Sequence, residues 1–153
     1  AYILKEYNQR WYILCNTQED YEQPPKLRTL ALDRIEHISS LQLPFVPAPE
    51  QVNGYFDEVI GITKKEDKNH DCQEIIIRCA PKEFKYILTK PIHPSQRPIH
   101  DKPNHIKLKV RENYELYQSL LFYGDKIEII SPEHIRCEFK QILQRMMAKY
   151  KDR

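Results

Sequence analysis

Glycine is nearly missing from this chain, with 3 in 153 residues. So few exclude a dinucleotide fingerprint or a phosphate-cradling loop, each of which needs several glycines at fixed spacing. Gly54 and Gly61, the one span that could matter, lack a third glycine and the Lys-Ser/Thr ending. The four cysteines, Cys15, Cys72, Cys79 and Cys137, form no C-x-x-C pair. Neither a zinc ribbon nor a thioredoxin-type redox site is spelled out, and the cysteines read as small buried hydrophobes of a reducing cytosol. No run of 18 apolar residues exists to span a membrane, and no basic-then-apolar leader is visible. One-signed charge is lacking too: the net charge is +2, too little for the whole-chain basicity of a dedicated duplex-DNA binder. His93, His100 and His105 fall in one stretch, but Pro91, Pro94, Pro98 and Pro103 interrupt it. Nothing there fixes ligand directions, so neither a metal nor a cofactor is expected.

What is present suits a folded protein, with 41% hydrophobic and 30% charged residues. The chain starts at Ala1 rather than Met, directly in strand-like sequence, and is expected to be a piece of something longer. Tyr2 to Tyr7 and Arg10 to Cys15 read as two strands joined by Asn8-Gln9, because Asn tolerates the left-handed conformation a two-residue hairpin needs. Leu27 to Leu32 alternates like a half-buried strand, and Arg34 to Ser39 continues it past a bend. Three strands in a row argue for part of a small barrel or sheet. Three prolines between Pro44 and Pro49 mark 44–50 as an extended linker.

From residue 51 the pattern changes. A short helix is expected over Glu50–Ile60, closed by Gly61, and a charged loop over 64–73. Glu74–Ala80 reads as a strand, and Pro81 opens a helix to Leu88. His93–Arg97 and Ile106–Arg111 read as strands, the second with strict period-two alternation. Asn113 caps a helix over Tyr114–Tyr123, stopped by Gly124; Ile127–Ile130 is a strand; Ser131 caps a last helix to about Tyr150. The order β-α-β-β-α-β-α is the split βαβ, ferredoxin-like order with a terminal helix, so the fold class is α+β.

Arg10-Trp11-Tyr12-Ile13, followed by Arg28-Thr29-Leu30-Ala31-Leu32-Asp33-Arg34-Ile35, resembles the WYL-domain family of bacterial transcriptional regulators. Tyr2 sits where that family's preceding strand places a tyrosine, while Ile13 stands for the motif's Leu and Leu30 for its usual Phe. Residues 50–153 resemble the family's C-terminal extension through Gly61, the Leu120–Gly124 block and Ile130-Ser131-Pro132-Glu133. The resemblance implies a partial Sm-like β-barrel over 1–43, the linker 44–50, and an extension domain over 51–153. It also implies an oligomeric cytoplasmic regulator that touches duplex DNA only through an N-terminal helix-turn-helix absent from this chain.

The candidate site is Tyr2, Arg10, Trp11, Tyr12, Arg28 and Arg34. Arg28 and Arg34 lie six apart, so a continuous strand would put both on one face, and Arg10 shares a face with Tyr12. Arginine forks beside exposed aromatics suit phosphate contacts and base stacking, which makes an anionic effector, a nucleotide or a single-stranded nucleic acid the expected partner. The alternatives stay open. Trp11 can simply fill the core, Arg34 can pair with Asp33, and Lys107, Lys109 and Arg111 can be a solvated strand face. Residues 1–50 carry five Lys/Arg against seven Asp/Glu, so binding there needs a local cluster. A structural dimerisation module and a direct nucleic-acid-binding accessory protein are the rival functions. No constellation for general acid–base or nucleophilic chemistry is assembled, so an enzyme is not expected.

Overall fold

The computed structural model describes residues 1–16, 27–40, 42, 47–64 and 71–150. Residues 17–26, residues 65–70 of the charged loop, residues 44–46 of the linker and residues 151–153 lie outside the described residues. The chain divides into two compact units, Ala1–Asp57 and Glu58–Arg153. It is mixed α+β, and among the described residues no helix is long and apolar enough to cross a membrane.

The first unit is an antiparallel sheet in the order β1 (Ile3–Tyr7), β2 (Arg10–Asn16), β3 (Leu27–Ala31), with no closed barrel among the described residues. Its hairpin turns on Asn8 and Gln9 at φ 50° and 62°, the two left-handed residues that match the right-handed twist of the flanking strands. The turn locks Tyr7 opposite Arg10, and from there Lys5 faces Tyr12 and Ile3 faces Leu14. One face, containing Leu14 and Leu27, is buried. Val52, Tyr55 and Phe56 are buried as well, and the Lys5 ammonium lies 4.3 Å from the Phe56 ring centroid. The segment after residue 50 thus covers the Leu14 face. It does so with a 3-10 turn at Glu50–Val52 and further turns through Asp57, not with the expected helix. The strand expected over Arg34–Ser39 is also absent: a 3-10 turn at Leu32–Arg34 ends β3, and residues 35–40 have no regular structure.

Gln9 in a left-handed conformation carries a Cβ penalty that glycine does not. Gln9→Gly is expected to stabilise the first unit by about 0.5–1 kcal/mol, read as a rise in the urea midpoint of Trp11 fluorescence.

The second unit has β4 (Gln73–Cys79), α1 (Pro81–Thr89), β5 (Arg97–Pro98), β6 (His105–Val110), α2 (Tyr114–Leu121), β7 (Ile127–Ser131) and α3 (Glu133–Ala148). Its sheet runs β5-β6-β4-β7, all antiparallel. This is the split βαβ order read from the sequence. The period-two pattern sets the faces: Ile75, Ile77, Ile106, Leu108, Ile127 and Ile129 turn into a core shared with Ile87, Leu116, Leu120 and Ile135. Glu74, Arg78, Lys107 and Lys109 turn the other way.

Three boundaries differ from expectation. His93–Arg97 is mostly a turn, because Pro94 has no N–H to donate and Ser95 bonds with its side chain instead. The Ser95 Oγ accepts from the Lys109 amide at 2.9 Å and lies 3.0 Å from its carbonyl, so the strand pairing begins only at Arg97. Ser131 does not cap α3: it still pairs with Ile76 as the last residue of β7, and the extended Pro132 takes the cap. The helix after Asn113 stops at Leu121, with Phe122 as its C-cap. Asn113 itself does cap α2, accepting from the Leu116 amide at 2.8 Å. Its side-chain nitrogen donates to the carbonyls of Ile60 and Thr63, at 2.8 and 2.9 Å, which fixes the incoming chain against the helix start.

Candidate ligand-binding face

Strand alternation separates the expected site residues into two sets. Arg10 and Tyr12 share the covered face with Leu14, whereas Trp11, Ile13 and Cys15 of β2 turn to the open side. The register places Ile13 between Leu4 and Leu30, Cys15 beside Arg28, and Trp11 beside Glu6. The open face therefore presents Leu4, Ile13 and Leu30 in a row, with Trp11 beyond one side of the row and Arg28 beyond the other. Leu4 is 61% exposed, Trp11 51% and Leu30 44%.

Trp11 does not fill the core. Phe56 and its neighbours take the covered face, and Trp11 sits on the other parity of the strand. Tyr12, the expected outward aromatic, is half-buried instead. Arg28 is exposed on the same face as Trp11. Tyr2 is half-buried just ahead of β1, its amide donating to the Leu14 carbonyl at 2.7 Å. Arg10 pairs with Asp33 at 3.2 Å, both about half exposed. Such a pair contributes little, but it ties the 3-10 turn to the start of β2 and takes the carboxylate considered for Arg34. Arg34 ends that turn, so the even spacing from Arg28 no longer places the two on one strand face. The structure brings together Trp11 and Arg28, sets Arg10 and Tyr12 behind them, and leaves Arg34 on the connecting turn.

Trp11 and Arg28 sit four residues apart along β2 and one strand over, a separation of about 14 Å at ordinary strand spacings. Among the described residues, the Leu4–Ile13–Leu30 row lies between them. A flat ligand with aromatic and anionic parts can stack on the indole and reach the guanidinium across it.

In the second unit several basic residues are engaged. Lys107 pairs with Glu74 at 3.0 Å, and Arg78 and Arg136 both pair with Glu128. Arg111 does not continue the Lys107–Lys109 face: it lies past the end of β6 and bonds Glu58 at 2.7 Å, which holds the Glu58 carboxyl below its usual value. The cysteines are not uniformly buried. Cys79 is, and burial with nearby Glu83 pushes its thiol up to about 11. Cys15 and Cys72 are half-buried, while Cys137 is exposed on α3 with its thiol 3.3 Å from Glu133. Raised thiols are poor nucleophiles. The aromatic-rich segment after Asn113 is mixed: Tyr117 is buried, while Tyr114 and Phe122 are 68% and 76% exposed.

An α+β unit with a split βαβ sheet and a trailing helix is thus joined in sequence to a three-stranded sheet with one open, aromatic-bearing face. Residues 73–147, from β4 through nearly all of α3, match the family model of the WCX domain, a C-terminal domain of WYL-type regulators. The match takes in just under half of the chain. A search of the curated proteins finds no match.

Proposed function

We propose that this chain is the effector-sensing and oligomerising region of a bacterial, cytoplasmic transcriptional regulator, and that the open face of β1–β3 takes a short single-stranded nucleic acid. The WCX match over residues 73–147 supports the regulator class. The observation that carries the ligand reading is an exposed tryptophan and an exposed arginine on one sheet face. A base stacks on Trp11 while a phosphate meets the Arg28 guanidinium. The span between them exceeds the base-to-phosphate reach of a mononucleotide, so a short strand fits better. Binding shifts how subunits present a DNA-binding domain only if the two arrangements hold the ligand with different affinity.

The apolar row favours a second reading. Leu4, Ile13 and Leu30 are what a subunit contact would cover, which makes the face a dimerisation surface without ligand.

Fluorescence anisotropy of labelled oligo-dT and a matching RNA, at low and physiological salt, separates the two. The sensor reading expects saturable binding that weakens with salt, with a slope near −0.7 for each phosphate contacted on a single strand. Absence of binding at low salt, with a dimer seen by sedimentation, would leave the dimerisation reading standing.

A further inference from the structure

A groove of about 370 Å³ opens in the second unit, between α1 and the turn that follows α2. Tyr86, Phe122 and Tyr123 line it, with Glu83 and Lys126 at its wall. Phe122, the C-cap of α2, is 76% exposed, and Tyr86 is 43% exposed. Large apolar rings left in water beside one another mark an interaction surface more often than chance exposure does. Phe122 and Tyr123 meet edge to face, centroids 5.3 Å apart at 88°, so they wall a corner rather than cover each other.

Lys126 apart, the polar groups of the groove are of one electrical character. Glu83 lies in the first turn of α1, and its side chain is only 16% exposed. The Tyr123 phenol is held above its ordinary value, mainly by burial and then by its neighbours Tyr86, Glu83 and Cys79. Ring faces, two phenol oxygens and a sheltered carboxylate together repel an anion and attract a cation. Among the described residues, the one cation lining the groove fills the role poorly. Lys126 keeps its ammonium 3.9 Å from Glu83 and is 61% exposed, well beyond a charge-assisted hydrogen bond.

We propose that this groove is a cation site, taking the guanidinium or ammonium of an arginine or lysine side chain from a partner polypeptide, with Tyr86, Phe122 and Tyr123 around it and Glu83 as its counter-ion. The open side of the groove, where Phe122 stands in solvent, suits a side chain presented on a larger body rather than a small molecule that needs enclosure. Lys126 is the group displaced. This site does not rest on the nucleic-acid reading of the first unit.

The test is an NMR titration of the tyrosine ring signals with a Gly-Arg-Gly peptide, the same peptide carrying uncharged citrulline for arginine, free methylguanidinium, and a nucleoside monophosphate. Saturable shifts of Tyr86 and Tyr123 are expected with the arginine peptide, weaker ones with methylguanidinium, and none with the citrulline peptide. Phe122→Ala, an exposed position that leaves the core intact, weakens the arginine peptide by about three-fold. Glu83→Gln weakens it by about five-fold and Lys126→Ala tightens it by about three-fold. Equal shifts from the citrulline peptide, binding of the nucleotide in place of the peptide, or methylguanidinium bound more tightly than the peptide would each overturn the proposal.

Discussion

A Gly61→Ala variant is expected to lose about 2–4 kcal/mol from the second unit, read as a lower denaturation midpoint in far-UV circular dichroism. Gly61 sits at φ +79°, and a Cβ built there would lie 2.6 Å from Cγ and 2.9 Å from Cβ of Glu115. Glu115 has little freedom to withdraw. It is 5% exposed, and its Oε1 accepts from the Thr63 hydroxyl at 2.7 Å. The left-handed backbone accounts for about 1 kcal/mol, and the forced shift of a buried side chain for about 1–3 kcal/mol more. Gly124 separates the two contributions, because it has φ +57° but nothing within 4 Å of its would-be Cβ. Gly124→Ala should therefore lose only about 1 kcal/mol. Equal losses in the two variants would mean that the contact with Glu115 relaxes freely.

Much of this architecture was legible in the sequence, for identifiable reasons. Ile106–Val110 alternates strictly and Pro81 can stand only at a helix start, so the second unit's order of elements follows from local chemistry. Asn113 announced its cap, and Asn8 its turn. Elements failed where a side chain did a backbone's work or where contacts chose between parities. The strand expected from His93 gave way because the Ser95 hydroxyl replaces a ladder partner of Lys109. Arg34 left the site because Leu32–Arg34 winds into a 3-10 turn, which alternation cannot foresee. Trp11 and Tyr12 are adjacent, so one must face each way, and nothing local says which. The burial of Tyr55 and Phe56, some forty residues on, accompanies the choice. The Tyr86–Phe122–Tyr123 groove was missed because its rings come from α1 and from the turn after α2, far apart in sequence.

Arg28→Ala is expected to weaken single-strand binding about ten-fold at low salt and to make the salt slope shallower by about 0.7, the signature of one lost phosphate contact. Trp11→Ala should weaken binding by a similar factor with no change in slope, because stacking releases no counterions. Both residues are exposed on a face the core does not use, so each variant should keep its circular dichroism spectrum. The contrast between slopes carries more weight than either loss alone. A dimerisation surface would lose affinity for itself in both variants and show no slope difference toward oligonucleotide. Arg10→Ala is the internal control: Arg10 lies on the covered face paired with Asp33, so it should leave the salt slope untouched while slightly loosening the turn. If Arg10→Ala changed the slope as much as Arg28→Ala, the ligand would have to approach from the Leu14 side, and the assignment of the open face would fail.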